Sequence, residues 1–231
     1  MFFAQEWKVV ILFVVVVRKG NEFSGIYIYL GTTMQFDRKR EETFQSRFFL
    51  WAMVFEWGTL LSAVGISLWL QQQYFLLPFY FHWTAFFYGV IGSIPCLLLL
   101  YFLLSPTGRR LKSLQDIYEI VEDFLPTLRE MSTWQLVVLG LSAGIGEESL
   151  FRGVLQPMLT WVMPVPVGIV ATSLVFGLLH ALTPTYFILA TMISIYLGCI
   201  VVVYDNLLVP ILIHGIYDAI AFYWLKQSHH Q

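Results

Sequence analysis

WQLVVLGLSAGIGEESLFRGVLQPMLT, residues 134–160, is the stretch on which the fold turns. It is long and apolar enough to cross a bilayer, which takes about 20 residues. It nevertheless carries Glu147, Glu148 and Arg152. An Asp, Lys or Arg at the centre of a spanning helix costs about 2.5–3.5 kcal/mol. Such groups are retained in membrane spans mainly where they do something. The stretch therefore reads as a membrane helix that carries chemistry.

Working outward, five further apolar stretches meet or approach spanning length: 48–70, 83–104, 165–182, 186–204 and 207–225. Pro-rich or polar breaks separate them, among them MPVP, TPT and Asp205–Asn206. The composition agrees. Hydrophobic residues are 58% of the 231, charged residues 12% and aromatics 17%. A soluble protein has about 25% charged residues, and 12% would leave its surface uncovered. The expected fold is all-α, a polytopic transmembrane helical bundle with about six spans and one amphipathic interfacial helix. A net charge of −2 gives no basic excess for phosphates, so no nucleic-acid partner is expected. Cys96 and Cys199 both lie in apolar runs and read as packing residues.

Three regions follow. Residues 1–47 form an N-terminal segment of undecided structure, 48–133 two spans plus a connector, and 134–225 a bundle that carries the polar groups. Within the first, VVILFVVVV is too short to span, and no A-x-A-like cleavage site follows it. Met34 offers a second start, so residues 1–33 read as an upstream extension or an appendage. In the connector, Leu111, Leu114, Tyr118, Val121, Leu125 and Leu128 step by three and four, with charges on the other faces. That spacing predicts an amphipathic helix, which Pro126 should end or bend.

Basic residues set the orientation. Arg38, Lys39, Arg40 and Arg47 precede the first span; Arg109, Arg110, Lys112 and Arg129 lie between the second and third; Lys226 follows the sixth. All fall on one side of a six-span chain, which places the C-terminus in the cytoplasm. The expected location is integral to the membrane, multi-pass, in the plasma membrane. Small-xxx-small steps, Gly140/Gly144, Ser173/Gly177 and Ser194/Gly198, predict close helix contacts.

Three helices bring polar groups to a similar depth: EESLFR at 147–152, FGLLH at 176–180 and HGIYD at 214–218. Glu148 and Arg152 are i, i+4 with the acid first, which suits a salt bridge. Glu147 lies about 100° around the helix, free for another role. His214 and Asp218 share a face, as do Phe176 and His180. This set suits a hydrolase in which Glu147 takes a proton from water while His180 helps hold that water. His214 and Asp218 would stabilise the oxyanion. Glu56, a lone acid in the first span, reads as structural, near a helix end or paired with Arg47. His82, His229 and His230 read as solvated.

The three motifs, in order on successive helices, resemble EExxxR, FxxxH and HxxxN/B of the CAAX-protease and bacteriocin-processing (CPBP, or Abi) family, over about 134–225. The resemblance implies an intramembrane glutamate-dependent endopeptidase like the Ras-converting type of CAAX enzyme. It implies catalytic roles for Glu147, His180, His214 and Asp218, with Glu148 and Arg152 as motif partners, no metal ligands and no cofactor. The implied partners are a protein or peptide substrate, prenylated or not, and the lipid bilayer. Asp218 stands where the eukaryotic enzymes carry Asn. An ionised Asp has no proton to give, so it either donates as the neutral acid or charges His214. Competing readings of the same groups are a zinc-dependent membrane protease, a proton-coupled transporter, or a non-catalytic immunity or scaffold protein. Orientation is testable by cysteine-accessibility labelling in a Cys96- and Cys199-free background. Cysteines at Arg40 and Lys226 should label from the cytoplasm, and those at Gln72 and Asp205 from the opposite side. Cytoplasmic labelling at Gln72 would contradict the six-span reading.

Overall fold

A computed structural model describes residues 38–70 and 79–227. The expectations for residues 1–33, for Gln72 and for His229 and His230 lie outside them. The described residues contain helices and no strand, as the composition implied.

The helices are α1 (Arg38–Trp69), α2 (Trp83–Gly92), α3 (Ile94–Leu104), α4 (Pro106–Arg109), α5 (Gln115–Glu130), α6 (Thr133–Leu150), α7 (Gln156–Val162), α8 (Val165–Leu179), α9 (Pro184–Tyr204) and α10 (Leu208–Gln227). A 3₁₀ turn, Lys112–Leu114, leads into α5, and a π turn, Phe151–Leu155, joins α6 to α7. Local chemistry sets the boundaries. Pro95 has no N–H and sits in the first turn of α3, so the second span breaks at Ser93. Gln135 accepts from the Ser132 N–H at 2.8 Å, which closes a capping box on α6. Thr183 caps α9 through its side chain, with Pro184 behind it. Asp205 ends α9 in the left-handed conformation, φ 46°. Pro157 at the start of α7 crowds the Gly153 carbonyl, and the helix widens into the π turn that holds Arg152.

Four helical stretches are long and apolar enough to cross a membrane: Arg47–Trp69, Trp83–Leu104, Pro184–Tyr204 and Leu208–Gln227. The other two expected spans differ for physical reasons. In α6 the two glutamates dilute the apolar run, and the π turn interrupts the helix. Helix α8 has 15 residues, a rise of about 22 Å against a hydrocarbon core of about 30 Å. Helix α8 is therefore too short to reach from one side of such a core to the other. Large apolar side chains such as Leu61, Leu68, Leu98 and Val203 point outward. Exposure on this scale suits hydrocarbon and not water.

The central helix is α10: 44% of its apolar window is buried, against 11% for α1. It meets α6 backbone to backbone. A methyl on Gly144 would stand 2.7 Å from both Gly215 N and Ile211 O, and one on Gly140 would stand 2.8 Å from Ala219 Cα. The small-residue step at Gly140/Gly144 is thus a true helix contact, and it sets Glu147 and Glu148 beside His214. Helix α1 crosses α6 one turn further along, where Gly146 abuts the Glu56 carbonyl and Thr59 Oγ1.

The connector helix starts at Gln115, after the 3₁₀ turn, and runs through Pro126 to Glu130. Pro126 therefore does not end it: only one hydrogen bond is lost, close to the helix end, where packing holds the last turn. Leu114, Leu125 and Leu128 are buried as expected, while Leu111 is exposed. The Lys226 ammonium at the end of α10 donates to the Met131 carbonyl, and Thr185 Oγ1 donates to Ser113 O at 2.7 Å. The connector thus packs against the start of α9 and the foot of α10. Asn206 exchanges hydrogen bonds with the Tyr80 backbone on the opposite side.

Gly144→Ala should force α6 and α10 apart and lower thermal stability by about 1–3 kcal/mol. Gly58, with nothing within 4 Å of an added methyl, should accept Ala without loss. Thermal unfolding of both variants in detergent checks the contrast.

Candidate active site

Glu147 and Glu148 occupy the last turn of α6, where their neighbouring positions face different partners. Glu148 is fully buried. Its Oε1 accepts from Arg152 Nη1 at 2.8 Å and from His214 Nδ1 at 2.7 Å. The i, i+4 pair expected from the sequence is therefore present. Its second partner, His214, comes from 66 residues away.

Arg152, also fully buried, reaches further. Its Nη2 donates to Ser194 Oγ at 2.8 Å and to Ser194 O at 2.9 Å on α9. Its guanidinium lies 5.1 Å from the Phe176 ring centroid on α8. One turn on, Gln156 Nε2 donates to Gly198 O at 3.0 Å. Glu148, Arg152 and Gln156 thus form a polar ladder that clips α6 and α7 to α9. The Ser194/Gly198 step leaves room for it, since a methyl on Gly198 would stand 2.8 Å from Gln156 Oε1.

His180 follows α8 as its C-cap. Its Nδ1 lies 2.9 Å from Phe176 O. A carbonyl has no proton, so Nδ1–H is the donor, and neutral His180 keeps a lone pair on Nε2. The ring stacks on Phe176, centroids 4.2 Å apart and planes within 20°. The shared face of FGLLH is therefore realised, with Phe176 as the wall that fixes the imidazole.

Three side chains converge. Glu147 Oε2 is 3.8 Å from His180 Nε2 and 3.8 Å from His214 Nε2. It is buried and has no hydrogen-bond partner among the described residues. Asp218 Oδ2 lies 3.3 Å from His214 Nε2. The Nδ1 of each histidine is thus committed to an acceptor, and the Nε2 of each faces the same carboxylate oxygen. Glu147, His180, His214 and Asp218 are brought together from α6, α8 and α10. Two details depart from the simple pairing read in the sequence: His214 faces Glu147 as closely as His180 does, and Glu148 rather than Asp218 holds its Nδ1.

Sequence reasoning gave no role to Ser194 or Gln156, and it read Glu56 as structural. Ser194 was visible only as half of a small-residue step, and Gln156 only as the next i+4 position after Arg152. Glu56 is not at a helix end: it is buried in the middle of α1, and Arg47, its expected partner, is exposed. His82 is exposed, as expected. Cys96 is buried in the core and Cys199 is exposed; neither is in a disulfide. Among the described residues, no group of three His, Cys, Asp or Glu has the arrangement of a metal site.

Residues 129–220 match the family model for the Rce1-like type II CAAX prenyl endopeptidases. The matched segment contains all three motifs and is consistent with the CPBP resemblance. The family is one of CAAX-type proteases that act on a peptide substrate, and the match together with the four apolar helices supports an integral membrane protein. Neither the curated proteins nor the solved structures yield a match.

Removing one partner of the buried pair should be costly. Glu148→Gln strands Arg152 and should destabilise the fold by about 3–5 kcal/mol. Ser194→Ala leaves the carbonyl acceptor in place and should cost about 1 kcal/mol. Thermal unfolding of the two variants gives the ranking, and a Ser194→Ala loss as large as that of Glu148→Gln would contradict it.

Proposed function

We propose that the chain is an intramembrane endopeptidase in which Glu147 activates water, with residues 134–225 as its catalytic bundle. The observation that carries this reading is the convergence of Glu147 Oε2, His180 Nε2 and His214 Nε2 at separations of 3.8 Å. These distances are too long for direct hydrogen bonds and suit a shared water. One water hydrogen would go to Glu147 Oε2 and the other to the lone pair of His180 Nε2. The water oxygen attacks the scissile carbonyl carbon as Glu147 takes the proton. When the C–N bond breaks, the leaving nitrogen takes that proton back.

The tetrahedral oxyanion needs a donor. His214 Nδ1 is already committed to Glu148, so Nε2 donates only in the imidazolium form. The 3.3 Å approach of Asp218 Oδ2 supports a role for Asp218 in charging His214 rather than in donating itself. Six spans are proposed, α6–α7 and α8 completing the four long apolar helices, with the C-terminus in the cytoplasm of a plasma-membrane protein. The contact from Thr185, at the start of α9, to Ser113 supports a site that opens toward the side of the basic connector. A membrane-associated peptide, prenylated or not, would enter from there.

Cleavage of a labelled peptide by purified protein in detergent tests the reading. Glu147→Gln should lower the rate by about 10²-fold or more while the protein stays folded. A strong chelator should leave the rate unchanged. Loss with chelator and recovery with zinc would favour the competing reading, in which the same three atoms hold a metal. Asp218→Asn should lose rate near neutral pH and retain it in acid. Asp218→Ala should lose about 10²–10³-fold. An Asn variant as fast as the parent at neutral pH would return Asp218 to the donor role.

A further inference from the structure

Tyr186 lies outside all three motifs, yet the fold sets it beside the site. A tight reversal of the chain does this. Helix α8 ends at Leu179 and α9 begins at Pro184, so only residues 180–183 separate them. The Leu182 N–H donates to the His180 carbonyl at 2.7 Å, which turns the chain back. Thr183 Oγ1 then accepts from the Tyr186 N–H at 3.1 Å and fixes the first turn of α9. The Tyr186 ring thereby meets the His180 imidazole edge to face, with centroids 6.5 Å apart and planes at 61°. Phe176 stacks on the same imidazole, so two aromatic rings brace it.

The far end of the Tyr186 ring has no such contact. The residue is half-buried. Its hydroxyl has no hydrogen-bond partner among the described residues, and it is not sealed in the core. A tyrosine hydroxyl that points into a protein normally finds a partner; this one is open to whatever occupies the site. The site itself opens on the same side. The His180 side chain is 27% exposed, against 10% for Glu147 and for His214. Tyr186 therefore stands at the mouth, against the most accessible of the residues that handle water.

The chemistry proposed above leaves one task unassigned. The water's hydrogens go to Glu147 and His180, and His214 meets the oxyanion. None of these holds the peptide before attack, and attack needs the scissile carbon within about 3–3.5 Å of the water oxygen. A peptide backbone offers carbonyl acceptors, and a phenol hydroxyl is a donor. We propose that Tyr186 is a substrate-binding residue whose hydroxyl donates to a backbone carbonyl of the bound peptide, next to the scissile bond, while its ring braces His180. The proposal rests on the peptidase reading for its kinetic consequence. The bond is made on binding and kept in the transition state, so it acts on KM and not on kcat.

Two measurements test this. In the first, kcat and KM for a labelled peptide are compared in the parent, Tyr186→Phe and Tyr186→Ala, with thermal unfolding to confirm folded protein. Tyr186→Phe keeps the ring against His180 and removes only the hydroxyl. Its KM should rise about 3–10-fold, the worth of one neutral hydrogen bond, with kcat little changed. Tyr186→Ala removes the brace as well and should also lower kcat. A folded Phe variant with the parent KM, or one that loses kcat at unchanged KM, would overturn the proposal. In the second, the peptide is added to Glu147→Gln protein carrying carbon-13 at tyrosine Cζ. The Tyr186 resonance, assigned by its loss in the Glu147→Gln/Tyr186→Phe double variant, should shift as the peptide binds. This signal does not depend on turnover, so it separates failure of the proposal from failure of the peptidase reading. A Tyr186 resonance that stays unmoved on adding peptide would overturn the proposal whether or not the parent cleaves.

Discussion

One oxygen atom organises the site. Glu148 Oε1 accepts from Arg152 and from His214 at once, and through them it connects α6, the π turn, α9 and α10. A carboxylate and a guanidinium fully removed from water lose hydration worth several kcal/mol each, which their attraction returns only when the remaining donors are satisfied. Arg152 Nη2 finds acceptors on Ser194 and the guanidinium lies against the Phe176 ring, while Arg152 Nε and Glu148 Oε2 have no hydrogen-bond partner among the described residues. Phe176 in turn stacks on His180. The buried ion pair therefore does more than neutralise itself: its contacts set the position of both imidazoles relative to Glu147.

The helix packing makes this possible. Gly140 and Gly144 bring α6 against the backbone of α10, and Gly198 admits Gln156. Hydrocarbon gives no hydrophobic drive between helices, so close packing and buried hydrogen bonds carry association. A bundle held that way keeps polar groups within a bilayer at fixed depth. The short α8 then ends at Leu179, with His180 as its C-cap facing Glu147. Peptide-bond chemistry in this setting gains from a fixed arrangement, because bulk water is not there to reorganise around the developing charge.

Much of this was legible in the sequence, and the part that was not has a common cause. The i, i+4 relations are local: Glu148 with Arg152, Phe176 with His180 and His214 with Asp218 all meet as their spacing requires. The small-residue step of α6 marked a real crossing. Which ring nitrogen of His214 meets Glu148, and that Ser194 receives Arg152, depend on how helices are rotated against one another, and spacing along one helix does not fix that. Glu56 was expected near a helix end or beside Arg47, and only the packing of α1 across α6 at Gly146 shows it buried in mid-helix. The shortness of α8 and the π turn at Arg152 follow from Pro157 and the MPVP and TPT breaks, but helical periodicity alone gives no sign of a widened turn.

The central claim is that Glu148 holds His214 by its Nδ1–H and Phe176 O holds His180 the same way, leaving His180 Nε2 to face Glu147 and His214 Nε2 to face Glu147 and Asp218. Nitrogen-15 NMR of histidine-labelled protein, with assignments from His180→Gln and His214→Gln, reads the protonation of each ring nitrogen directly. The account predicts a protonated Nδ1 at both residues, held against exchange by its acceptor. A bare Nδ1 on His214, with the proton on Nε2 alone, would contradict it.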